Sequence, residues 1–99
     1  MKLITQEMVQ AIKDRKNFRK DNTTVEIFNG TAFVYLFGNN IAQVSDKDIF
    51  ISTCGWETKT TMERLNGILS AHGLDRINQK KFVWYINGVE LNGRKTFEL

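Results

Sequence analysis

Asn29-Gly30 constrains the fold more tightly than any other pair in this chain. A two-residue hairpin turn needs positive φ at both central positions, and Asn-Gly is its preferred sequence. Strand-forming residues lie on both sides: Thr24-Val25-Glu26-Ile27-Phe28 before, and Thr31-Ala32-Phe33-Val34-Tyr35-Leu36-Phe37 after. A loop of that length sets the register. Phe28 faces Thr31, Ile27 faces Ala32, Glu26 faces Phe33 and Val25 faces Val34. Side chains alternate across a strand, so Val25, Ile27, Ala32, Val34 and Leu36 share one face, which reads as core. The other face carries Thr24, Glu26, Phe28, Phe33, Tyr35 and Phe37 and is more aromatic than a solvated surface needs.

The rest of the chain extends this hairpin into a meander. A turn at Gly38-Asn39-Asn40 leads to a third strand over Ile41 to Ser45, and Asp46-Lys47-Asp48 turns into a fourth over Ile49 to Thr53. A helix is expected over Gln6 to Lys16, capped by Thr5 and stapled by Ile4 on Val9. A second helix is better marked. Thr60 and Glu63 have capping-box spacing, Met62, Leu65, Ile68 and Leu69 form an apolar stripe, and Gly73 with Leu74 suits a Schellman ending. Gly67 inside it costs about 1 kcal/mol in propensity, which suggests a close backbone contact. Strands follow at Phe82 to Ile86 and Val89 to Leu91, with turns at Asn87-Gly88 and Asn92-Gly93 and a short edge at Thr96 to Leu99. The expected fold is α+β: an antiparallel sheet of five to seven strands built from hairpins, with two helices packed on it.

With 99 residues, the chain suits one domain, residues 1–99. Its 41% hydrophobic and 11% aromatic content is that of a folded protein. A single cysteine, Cys54, excludes an intramolecular disulfide and points to a reducing compartment. No apolar run approaches the roughly 20 residues of a membrane helix, and Met1-Lys2-Leu3-Ile4-Thr5-Gln6-Glu7 turns polar too soon to hold a signal-peptide core, so no membrane partner is expected.

Net charge is +3, but the ends are basic and the middle acidic. If the ends met, they would form a patch for a polyanion. The nucleic-acid candidates are Arg19 and Lys20, beyond the first helix, with Lys80, Lys81 and Trp84 on an aromatic strand. A buried Trp84 explains that strand equally well, because a small domain needs its large residues inside. The order of helix, strands and helix also matches double-stranded-RNA-binding domains, but Glu57 and Glu63 flank the helix start where those domains carry bases. That start offers Thr58, Lys59, Thr60 and Thr61 as an anion-site candidate; ordinary capping, with Trp56 in the core, is the competing account. Cys54 and His72 are single and far apart along the chain, and neither a metal set nor a nucleophile–base pair is signalled. No catalytic residue and no cofactor is expected.

The strings Leu36-Phe37-Gly38-Asn39-Asn40-Ile41-Ala42, Gly55-Trp56-x-Thr58-x-Thr60-Thr61-x-x-Arg64-Leu65-Asn66 and Gln79-Lys80-Lys81, running into Trp84-Tyr85-x-Asn87-Gly88, resemble a widespread group of small tailed-phage proteins. The likeness covers most of residues 17–88, with histidine common at position 37 and alanine at position 54 in similar proteins. It implies a phage product working in a bacterial cytoplasm, and by analogy a non-catalytic binder that modulates a host protein or complex. The aromatic hairpin face, Phe28, Phe33, Tyr35 and Phe37, is the expected contact surface, or alternatively a homodimer interface or a face covered by the tail. A nucleic-acid-binding module is the second expectation.

Overall fold

In the computed structural model, which describes residues 1–99, the Asn29-Gly30 hairpin forms in the expected register. Both turn residues have positive φ, 50° and 79°. The hairpin strands are β2 (Thr23–Phe28) and β3 (Thr31–Leu36), and β1 (Phe18–Lys20) pairs with the outer side of β2. The turn after β3 lies one residue earlier than expected, at Phe37-Gly38, so β4 (Asn39–Val44) starts at Asn39 opposite Leu36. A bulge reconciles this start with the buried pattern. Val34 pairs with Ala42 and Tyr35 with Asn40, leaving Ile41 as the extra residue, turned into the core at 2% exposure. The Asn40 side chain fills the gap in the ladder by donating to the Val34 and Ala42 carbonyls, both at 3.1 Å. The next strand is β5 (Asp48–Ser52).

The tail departs from a single sheet. β6 (Ile77–Lys80), β7 (Val83–Ile86) and β8 (Val89–Glu90) form their own three-stranded sheet. The last strand, β9 (Arg94–Glu98), pairs with β5, giving a main sheet ordered β1-β2-β3-β4-β5-β9. That sheet has six strands, within the expected five to seven. Its buried face, the two helices and the small sheet share one core that includes Val25, Val34, Ile49, Ile51, Leu65, Ile68 and Trp84.

The first helix, α1 (Leu3–Asp14), begins earlier than its sequence suggested. Lys2 occupies the N-cap without a side-chain bond, and Thr5, expected there, is buried inside the helix. The second, α2 (Lys59–Ala71), is capped by Thr58, whose hydroxyl accepts from the Thr61 N–H at 3.1 Å. The Thr60–Glu63 box does not form, because Glu63 turns instead to α1. It accepts from the Lys2 N–H, the Thr5 hydroxyl and Arg64. The helix ends as expected. Leu74 donates to the Leu69 carbonyl and Gly73 to that of Ser70, with Gly73 at φ 72°.

Arg64 locks the layers together. It is 3% exposed and donates to Thr23, Thr5, Glu63 and Asn22, joining α2 to α1 and to the start of β2. Burial pushes the Glu63 carboxyl up, but the Thr5 hydroxyl, the Lys2 N–H and Arg64 together hold it below its ordinary 4.5. A depressed folded-state pKa stabilises the fold above the unfolded value, and that contribution is lost as pH falls through the folded one. Glu63→Gln is therefore expected to lose less stability than the parent on acidification below about pH 4.5. Urea titrations at a series of pH values check this; parallel acid limbs would remove Glu63 from the account.

Candidate functional site

The strand alternation that buries Ala32, Val34, Leu36, Ile49 and Ile51 turns Phe33, Tyr35 and Phe50 to the opposite side of the main sheet. These three rings are half-buried among their neighbours. Phe33 lies across from Glu26 and Gln43, and Phe50 flanks Gln43 on the far side. Phe28, at the strand end, is 66% exposed. An open hollow of about 640 Å³ runs over β1 to β3, lined by Phe18, Phe28, Phe33 and Tyr35 with Arg19 and Glu26. The helices and the small sheet bury the other face, so the tail does not cover this one.

Phe37 belongs elsewhere. Its place in the turn, at φ 51°, leaves it 72% exposed at the end of the hairpin opposite Phe28. There it borders a second, narrower hollow of about 370 Å³ with Leu36, Asn39, Ile41, Trp56, Thr58 and Thr61. Trp56, expected in the core, is 63% exposed on this rim. Of the anion-site candidates, Thr58 and Thr61 reach the hollow, but their hydroxyls are engaged with each other at 3.0 Å and in the cap. Lys59 and Thr60 do not line it.

The nucleic-acid candidates are divided between the two sheets. Arg19 and Lys20 sit on edge strand β1, where Lys20 is paired to Glu7 at 2.7 Å. Lys80 and Lys81 lie at the β6–β7 turn of the small sheet, and Phe82 of the same turn faces a hollow that also holds Glu57 and Glu90. Trp84 is 3% exposed, and its Nε1–H donates to Gln79 at 3.2 Å; it is a core residue, not a ring offered for stacking. Phe82, expected on the strand beside Trp84, is instead in the turn and 88% exposed.

Cys54 is exposed with its Sγ 3.1 Å from the Asn40 carbonyl, while the His72 ring contacts the Ile68 carbonyl at the far end of α2. No three His, Cys, Asp or Glu side chains converge. Sequence reasoning left out Phe50, although the alternation Ile49-Phe50-Ile51 places it opposite the core. Nothing local marked Trp56 as exposed.

No curated protein and no solved structure matches this chain. A family match is nearly complete: residues 1–98 fit the model described as Kyanoviridae Gp96 protein, in keeping with the likeness to small tailed-phage proteins. The chain belongs to the Kyanoviridae Gp96 protein family.

Proposed function

We propose that this phage protein is a non-catalytic accessory factor that works in the bacterial cytoplasm by binding and modulating a host protein or complex, with the outer face of the main sheet as its contact surface. One observation carries the reading: Phe28, Phe33 and Tyr35 line a single open hollow on a sheet face that no other element covers. Large rings gathered on an accessible face, rimmed by charge, are the usual make-up of a protein-binding patch. The rim carries both Arg19 and Glu26, a balance that suits a protein partner better than a polyanion. Against the nucleic-acid alternative stand the burial of Trp84, the pairing of Lys20 with Glu7, and the carboxylates beside Phe82.

Because Phe28 is largely exposed, Phe28→Asp is expected to leave the fold intact. Captured from host lysate by the tagged protein, a specific host partner should be lost with Phe28→Asp, at least tenfold by quantitative blot. Lys80→Ala with Lys81→Ala should retain it. The reverse pattern, together with steeply salt-dependent binding of single-stranded DNA, would replace this reading with the nucleic-acid one.

A further inference from the structure

The free edge of β9 is self-complementary, and we propose that two copies of the chain pair there, antiparallel about Thr96, into a continuous twelve-stranded sheet. The ladder to β5 decides which groups of β9 are free. The Thr53 N–H bonds the Gly93 carbonyl and the Leu99 N–H bonds the Lys47 carbonyl, so the odd-numbered residues point their main-chain groups at β5. The N–H and C=O groups of Arg94, Thr96 and Glu98 then face outward along the open edge. Two such edges brought together antiparallel set Thr96 opposite Thr96 and Arg94 opposite Glu98, with about six main-chain hydrogen bonds.

The side chains agree with that register. Arg94, Thr96 and Glu98 are all exposed and share the outer face of the sheet, and Arg94 has no ion-pair partner within the chain. Glu98 stands directly opposite Asp48 in the β5–β9 ladder, a like-charge pair that is unfavourable in an isolated copy. The second copy's arginine would lie beside Glu98 and offset this repulsion. On the inner side, Lys95 would face the second copy's phenylalanine, repeating across the edge the contact that Lys95 already makes with Phe97 at 5.5 Å.

The other edges lack these features. β1 has only Phe18, Arg19 and Lys20, and pairing it with itself would oppose arginine to arginine. The Asn66 side chain already occupies the edge of β6, bonding both the N–H and the carbonyl of Ile77. β8 is two residues long. An antiparallel pair of edges has its two-fold axis perpendicular to the sheet, so both outer aromatic faces would lie on the same side. The dimer does not depend on the proposed host binding.

Sedimentation equilibrium of the whole chain up to about 1 mM tests the pairing, a concentration that reaches the weak end of protein association. Glu98→Arg, which opposes arginine to arginine twice, is expected to weaken the dimer at least tenfold. Arg94→Glu combined with Glu98→Arg restores the opposition of unlike charges and should recover it. Thr96→Pro should also give monomers, because it removes an N–H that the ladder to β5 does not use. Circular dichroism confirms that each variant is folded. A parent that stays monomeric throughout, or a dimer indifferent to Glu98→Arg, overturns the proposal.

Discussion

Arg64→Ala is expected to destabilise the protein by about 2–4 kcal/mol, because a buried guanidinium with four hydrogen-bond partners is lost and its half-buried carboxylate partner is left without it. The guanidinium is nearly inaccessible and holds two buried hydroxyls, Thr5 and Thr23, as well as Glu63 and Asn22. Without it, those acceptors face a gap that alanine cannot fill, and Glu63 keeps its charge with less to balance it. For a domain whose whole stability is on the order of 5–15 kcal/mol, such a loss leaves little margin. Urea unfolding monitored by tryptophan fluorescence measures it. Arg64→Met combined with Glu63→Gln removes both charges and restores volume, so its cost should be clearly smaller than that of Arg64→Ala. A loss below about 1 kcal/mol for Arg64→Ala would mean that the cluster contributes little.

Gly67→Ala should also destabilise, by about 2 kcal/mol, although alanine is the better helix former by about 1 kcal/mol. A Cβ on Gly67 would lie 2.3 Å from Cγ2 of Thr5. Thr5 is fully buried and its hydroxyl is bonded to both Glu63 and Arg64, so it cannot swing away without breaking those bonds. The two helices would have to move apart. Thr5→Ser removes the offending methyl and keeps the hydroxyl, so the two substitutions together should cost less than their separate effects added. A double-mutant cycle reads this coupling directly. Simple additivity would show that the close approach of α1 and α2 does not limit packing here.

Both residues show how legibility varied along the chain. Gly67 was readable as a close contact because a glycine in a helix interior has a cost that packing must offset. Arg64 has no apolar spacing to mark it, and it is a core residue only through partners on β2 and α1. The aromatic set was half legible. Phe28, Phe33 and Tyr35 share the open face that the hairpin register assigned to them, but a turn one residue earlier than expected carried Phe37 off that face. Its neighbour on the second hollow, Trp56, sits in a loop with no periodicity to indicate burial or exposure.

What the residues determined by themselves was local. Asn29-Gly30 set the turn and with it the register of β2 on β3, since positive φ and a side-chain period of two leave one solution. Gly73 and Leu74 determined the end of α2 in the same way, through main-chain bonds only a few residues apart. Tertiary structure alone decided which threonine caps α2, which tryptophan is buried, and that β9 leaves the small sheet's neighbourhood to pair with β5. Each of those outcomes depends on a partner distant in sequence: Glu63 is drawn to Thr5 and the Lys2 N–H, Trp84 to the shared core, and β9 to the open edge of β5. Competition among such contacts is settled by how the whole core packs, and no short stretch of residues encodes that.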